Sequence, residues 1–356
     1  MPLKLPSISR KTLSMDFGSK EIKVIEGKYT KDNVQILKAF TISVEPHFYL
    51  NGEILNKDVL ATSIKNKLKE NKISTTITYG IINSSKVITR EIIIPKVSLK
   101  ELKSVVSYQV ADYLPINIDD YVVKYLNLGN IHEGDMEKIK ILLLAIPNNI
   151  VLSHLELLKD SGLKPEILDY QGNAIAKLLN YNDLVNSDYN TRDLVIASVD
   201  IGYSNSKLTI IKNGKIEVTR VIDTGGKAMY DNIFSFFDYS IEDVEEKLVE
   251  IKSLNNFQDE FSDNYRLSNI VRTSLIDLCE KIEVVFRYYN TRETGNMINY
   301  ILLQGGFSNI KEIDNLFSTY FNIPTMQLST LDKINWSENL SKYANAIGGL
   351  IRIDEV

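Results

Sequence analysis

The chain reads as an α/β protein of two related halves, with a smaller α+β unit set into the first half. Three observations lead there. The turn Asp16-Phe17-Gly18 returns as Asp200-Ile201-Gly202, at an offset of 184 residues (Asp16 to Asp200) in a chain of 356. Residues 299–306 form an apolar strand pattern that runs into the pair Gly305-Gly306, with a helical pattern following. Residues 86–169 carry their own β-α-β-β-α-β succession. An offset near half the length indicates two α/β lobes rather than a short solenoid repeat. The length alone would have indicated about two domains.

The first copy spans residues 14–24 and the second 198–208. The offset also carries Ser14 onto Ser198, Gly18 onto Gly202 and Lys23 onto Lys207. Each copy reads as strand, tight turn, strand, turn, strand. The second turn of the second copy is Asn213-Gly214, a hairpin signal because both residues accept positive φ. The first copy has a looser turn near 27–33. Glycine lets a backbone turn sharply and approach a ligand closely. Successive backbone N–H groups there form a concave anion site. A carboxylate at the preceding strand end, Asp16 or Asp200, can hold Mg²⁺ through water. One such turn is an ordinary hairpin feature, whereas two facing ones can grip a phosphate chain from both sides.

Within 86–169, Val87–Ile94 reads as a strand. Ser98 and Glu101 have capping-box spacing. Leu102, Val105, Val106, Gln109 and Tyr113 share a helical face, and Leu114-Pro115 stops that helix. Tyr121–Leu128 and Lys138–Ile146 follow as strands, Asn148 is a candidate cap for a helix ended by Gly162, and Glu166–Asp169 is a last short strand.

In the second half, Gly225-Gly226 precedes a helix. Val271, Leu275, Leu278, Ile282, Val285 and Tyr289 recur at steps of four and three, which predicts one long helix, packed on its own lobe or against a coiled-coil partner. Ser308 or Asn309 is the candidate cap of the helix after Gly305-Gly306. Residues 344–350 form a small-residue helix suited to close packing.

An apolar fraction of 44% and a charged fraction of 24% exclude disordered and low-complexity classes. A net charge of −5 argues against a dedicated nucleic-acid binder. The longest apolar run, Ile141–Ile146, has the length of a buried strand and not of a membrane span. No secretory leader pattern is present, so a cytoplasmic location is expected, with any membrane association supplied by a partner. Cys279 has no neighbour to activate it, and His47, His132 and His154 lack metal or triad spacing.

Asp16-Phe17-Gly18-Ser19, Asp200-Ile201-Gly202-Tyr203 and Gly305-Gly306-Phe307 resemble, in order, the motifs of the actin-like ATPase superfamily. Within it, Ser107–Ile116, Ser161-Gly162-Leu163-Lys164-Pro165 and Ala346–Arg352 resemble the PilM family of type IV pilus assembly. The resemblance implies an actin-like (ribonuclease H-like) two-lobed fold with an inserted small α+β subdomain. The first lobe core would comprise 1–85, 170–195 and 335–356, the inserted docking unit 86–169, and the second lobe 196–334, with 225–295 its helical part.

ATP and Mg²⁺ are the implied ligands. Gly18, Ser19 and Lys20 match the first phosphate loop, and Gly202, Tyr203 and Ser204 the second. Gly305, Gly306 and Phe307 match the adenosine loop, with Gly225 and Gly226 beside it. Glu245 is the candidate contact to the nucleotide sugar, but Leu248 stands where that family motif carries lysine. Tyr203 replaces a usual small residue, which predicts a bulkier second loop. Asp16 and Asp200 would hold the metal, and Asp200 would orient an attacking water.

The implied partner is the cytoplasmic N-terminal peptide of PilN, docked beside the inserted unit. Other pilus platform proteins and pilus motor ATPases are further candidates. With no base or arginine finger in the sequence pattern, hydrolysis should be slow or absent. Two alternatives remain: a small-molecule kinase of the same fold, for which no acceptor-side aspartate is evident, and an FtsA-like filament protein, for which the chain end at Val356 leaves no anchor helix.

Overall fold

A computed structural model describes residues 10–352 apart from Pro115, Asp135, 255–261 and Ser337; the side chains of 99, 100, 103, 107–109, 111 and 133 are also outside it. Within the Ser107–Ile116 stretch, Pro115 and the side chains of 107–109 and 111 therefore lie outside the described residues, as does the end of the chain, 353–356.

The first lobe begins with a meander of β1 (Lys11–Phe17), β2 (Glu21–Tyr29) and β3 (Val34–Ser43). A short pair, β4 (Tyr49–Leu50) and β5 (Glu53–Ile54), leads into α1 (Lys57–Glu70), which Asn56 caps, and β6 (Ile77–Ile82). The inserted unit follows as β7 (Ile88–Pro95), α2 (Leu99–Tyr113), β8 (Tyr121–Glu133) and β9 (Met136–Pro147). Its sheet runs β7-β9-β8, and Ser98 with Glu101 closes the expected capping box.

Strand β9 is buried on both faces. Ile139, Ile141 and Leu143 pack under Leu102, Val106 and Val110 of α2. Leu142 and Leu144 turn the other way, onto Ile211 and Ile216 of the second lobe. That is why the sequence there is continuously apolar instead of alternating.

The boundary expected at residue 169 is wrong. α3 (Asn148–Asp160) sets Leu157 and Leu158 into the core formed by Leu13, Phe17 and Ile64. β10 (Lys164–Tyr170) pairs in parallel with β6. Both complete the first lobe, so the inserted unit ends at Pro147. Asn148 is not a cap either, because its side-chain amide donates to the Asp119 carbonyl at 2.6 Å.

After α4 (Gln171–Tyr181) and the short pair β11 (Leu184–Val185) and β12 (Tyr189–Asn190), the second lobe repeats the meander. It comprises β13 (Val195–Ile201), β14 (Ser206–Lys212) and β15 (Lys215–Ile222). Asn213 and Gly214 take φ of 52° and 71°, the geometry their hairpin signal calls for. α5 (Gly226–Phe234), α6 (Ile241–Glu250) and α7 (Asp263–Arg292) come next. The apolar face of α7 packs on its own lobe around Val271, Leu275, Leu278 and Ile282, not against a coiled-coil partner.

β16 (Tyr300–Gln304), α8 (Ile313–Phe321), β17 (Thr325–Gln327) and α9 (Leu340–Leu350) complete the chain. Neither Ser308 nor Asn309 caps α8, which starts after Glu312. The Ser308 hydroxyl bonds the Gly305 carbonyl and Asn309 accepts from Ser341.

The two main sheets run β10-β6-β1-β2-β3 and β15-β14-β13-β16-β17. In each, the first strand lies between its antiparallel hairpin partner and a parallel strand from a later crossover. The duplication seen in the sequence is thus a duplication of topology.

The inserted unit is tied to the second lobe as well as to its own. Lys140 of β9 lies 2.9 Å from Glu217 of β15 and 3.3 Å from Glu91 of β7. Arg292 of α7 pairs with the same Glu91.

Candidate functional site

The two meanders place their turns face to face. β1 ends at Asp16-Phe17 and turns through Gly18, where a Cβ would sit 2.7 Å from the Glu21 carbonyl oxygen. β13 ends at Asp200-Ile201 and turns through Gly202, where a Cβ would sit 2.6 Å from the Asn205 carbonyl oxygen. The same close turn thus explains glycine in both copies. In register, Asp16 stands opposite Lys23 and Asp200 opposite Lys207, so each lobe presents an Asp/Lys pair to the cleft side of its sheet.

Asp16, Asp200 and Lys207 are buried, and Lys23 keeps only a small exposed part. Burial pushes the Asp16 carboxyl up to about 6; Lys23, 3.9 Å away, opposes the shift and Asp200 adds to it. Burial also works against charge on Lys23, but Asp16 and Glu21 outweigh it and leave its pKa raised. For Lys207 burial wins over Asp200 and Asp16, and its pKa falls well below the ordinary lysine value. Gln171 reaches Asp16 at 3.5 Å, and Asn345 of α9 donates to Asp200 at 2.7 Å. The amide oxygens of Gln171, Asn345 and Gln304 have no hydrogen-bond partner among the described residues.

Two contacts cross the cleft mouth. The Ser19 and Ser204 hydroxyls meet at 2.5 Å. Lys20 donates to Glu245 of α6 at 2.5 Å and to the Tyr230 hydroxyl at 3.0 Å. Its ammonium sits among the faces of Tyr230, Tyr203 and Phe307, 4.8 to 5.7 Å from the ring centres. Burial disfavours its charge, yet the hydrogen bonds to Glu245 and Tyr230 prevail and its pKa is raised. The space enclosed is about 60 Å³. Ligand sites commonly run to roughly 300–1,000 Å³. As it stands, the gap between the lobes is smaller than such sites.

Of the residues singled out by sequence, Asp16, Gly18, Ser19, Lys20, Asp200, Gly202, Tyr203, Ser204, Gly306 and Phe307 line the cleft. Gly225, Gly226 and Gly305 do not; they lie behind its wall. Gly225 abuts the carbonyls of Gly202 and Tyr203, and the Phe307 ring covers Gly226. Gly305, at φ +94°, leaves no room for a side chain beside Asp200. These three fasten the second loop to α5 and β16.

Glu245 is at the mouth, bonded to Lys20. Leu248, at the position of the absent family lysine, packs into the second-lobe core. Tyr203 lines the cleft, with its ring turned onto Tyr230 and Phe307.

Sequence reasoning missed Tyr49, Asn51, Asn83, Gln171 and Asn205 as lining residues. They come from four separate segments: Tyr49 and Asn51 share the β4–β5 hairpin, Asn83 and Gln171 stand apart, and Asn205 belongs to the second turn. Lys23 was within reach, since the repeat maps it onto Lys207.

The model for the type IV pilus assembly protein PilM matches residues 14–346. The chain belongs to the PilM family of type IV pilus assembly proteins. Solved structures agree on the fold. A PilM–PilN type IV pilus biogenesis complex superposes with a TM-score of 0.77 at 19% identity, covering 97% of this chain and 100% of that one. The ethanolamine utilization protein EutJ of Carboxydothermus hydrogenoformans gives 0.55 at 12% identity, covering 98% and 91%. MreB5 of Spiroplasma citri, bound to ADP, gives 0.53 at 14% identity, covering 95% and 94%. The architecture of this PilM-family chain is therefore the actin-like one. No helix among its described residues is long and apolar enough to cross a membrane.

The site suits a hydrated divalent cation. Two buried carboxylates face each other, and the residues that bond them, Gln171 and Asn345, keep free acceptor oxygens. The described residues contain no cluster of three or more His, Cys, Asp or Glu that could hold a metal ion.

Proposed function

We propose that the chain is an ATP-binding scaffold of the type IV pilus assembly platform, acting on the cytoplasmic side and held at the membrane by a partner. The observation that supports it most is the facing pair of Asp-x-Gly turns, one per lobe, closing over a single cleft in a PilM-family chain. Gly18, Ser19 and Lys20 approach the phosphates from one lobe and Gly202, Tyr203 and Ser204 from the other. Asp16 and Asp200 hold Mg²⁺ through water, and the cation neutralises phosphate charge. Phe307 and Tyr230 provide aromatic faces for the base once Lys20 leaves them for the phosphates.

Hydrolysis is slow or absent. The described cleft lining contains no arginine or histidine, and the Asp200 carboxylate accepts a hydrogen bond from Asn345. Calorimetry should show MgATP binding to the wild-type protein. Asp200→Ala should weaken it by at least about tenfold, the scale of one charge-assisted interaction. Unchanged affinity in that variant, or turnover of tens per second, would refute this account.

The partner is the cytoplasmic N-terminal peptide of PilN. The solved complex of a PilM with PilN favours this reading. The inserted unit offers two edge strands, β7 and β8, to an extended peptide, and the Glu91–Lys140–Glu217–Arg292 cluster couples that unit to the second lobe. A charged substitution at exposed Ile93 on β7, such as Ile93→Glu, is expected to abolish capture of the PilN tail and spare ATP binding. Loss of both together would point to damaged folding and against a separate docking unit.

A further inference from the structure

Lys207 is 2% exposed and forms no ion pair among the described residues. Its ammonium lies 3.5 Å from the centre of the Tyr170 ring and donates to the Asn83 side-chain oxygen at 3.1 Å. Its repeat mate Lys23 differs, having Asp16 at 3.9 Å and lining the cleft. A buried ammonium with no carboxylate in direct contact is costly, and a methionine of similar length would fill the same space without that cost. Lysine at such a place is best explained by an anion that arrives from outside.

The position suits a phosphate. Lys207 stands opposite Asp200 on the neighbouring strand, so its side chain leaves the same face of the sheet. It reaches toward the first lobe at Asn83 and Tyr170. Asn83 lines the cleft and donates to Asn205 of the second loop at 3.0 Å. The Asn83 side chain thus contacts both the Lys207 ammonium and the cleft. A phosphate oxygen that displaces that amide takes over the Lys207 hydrogen bond.

We propose that Lys207 is the second lobe's phosphate-binding cation, the counterpart of Lys23, so that the two lysines flank a nucleotide's phosphate chain from opposite lobes. This rests on the nucleotide-binding reading above. It assigns to the second meander a charged group that its loop motif does not contain.

Lys207→Met and Lys207→Gln, with the wild type, would be tested by calorimetry with ATP, ADP, inorganic tripolyphosphate and adenosine, and by thermal melts. The methionine variant is expected to melt no lower than wild type. Both variants should bind ATP and tripolyphosphate about 10- to 100-fold more weakly, with adenosine affinity unchanged. Wild-type affinity for ATP in both variants overturns the assignment. So does an equal loss for adenosine, which marks a packing role against Tyr170. If the wild-type protein itself binds neither ATP nor tripolyphosphate, the nucleotide-binding reading falls and this one with it.

Discussion

Gly348→Ala is expected to cause a larger loss of stability than the other substitutions considered. Gly348 lies where α9 crosses α4, and a Cβ there would sit 2.1 Å from the Ala174 carbonyl oxygen and 2.7 Å from its carbon. Both are backbone atoms, so no side chain can rotate away and the helices must separate. Overpacking of this kind costs about 3 kcal/mol or more. For a chain of this size that is a fall in Tm of roughly 4 °C or more.

Function should suffer too, because Asn345 on the same helix holds Asp200. Gly349→Ala is the control. Its Cβ would meet the Ser14 hydroxyl and the tip of Ile81, both at 2.5 Å, and those side chains can turn. Calorimetric melts of the two variants decide the matter. A Gly348→Ala protein melting within a degree of wild type would mean that the helices do not approach so closely.

Asp16→Asn should make the protein more stable at neutral pH and poorer at binding MgATP. The Asp16 carboxyl is pushed up to about 6 in the fold, above its ordinary 3.8. Its ionised form therefore opposes folding at neutral pH, by about 3 kcal/mol at most. That penalty fades as pH falls from 6 toward 4.

His154 acts in the opposite sense. It is buried against Phe17, its Nδ1 meets the Ile150 carbonyl at 2.7 Å and its Nε2 meets the Tyr49 hydroxyl at 3.1 Å. Burial lowers it from 6.5 to about 4. Its neutral form supports the fold above pH 6.5, and that support drains away as pH falls toward 4, by about 3 kcal/mol.

In the wild type the two trends oppose each other across this window. Asp16→Asn removes one of them. The variant should gain stability at pH 7.5 and then lose it steeply between pH 6.5 and 4. Urea titrations at several pH values would show both effects. A variant less stable than wild type at pH 7.5 would show that the Asp16 charge is not held against the fold. The coupling of greater stability to weaker MgATP binding marks a group kept for its ligand.

The local parts of this protein were legible from the residues alone. A hairpin is made by neighbouring stretches of chain, so the 184-residue repeat carried both meanders, both Asp-x-Gly turns and, through Lys23 and Lys207, the opposed Asp/Lys pairs. The steps of four and three in α7 likewise follow from one helix and one core. Parallel pairing was not legible, because its partners are distant in sequence and carry no complementary code. Residues 164–170 look alike as the last strand of the inserted unit or as the fifth strand of the first lobe. The apolar face of α3 would cover either sheet, and only pairing of β10 with β6 assigns both.

The same reason hid Asn83 and Gln171, single polar residues that line the cleft, and Asn345, which bonds Asp200. It also hid the roles of Gly225 and Gly226, which serve the carbonyls and the Phe307 ring packed on them. Sequence determined what each lobe could present to a ligand, through short-range pairing and turn chemistry. How the lobes close, with Lys20 on Glu245 and Lys207 on Asn83, was decided by the tertiary structure, because each contact joins residues whose proximity depends on the whole chain having folded.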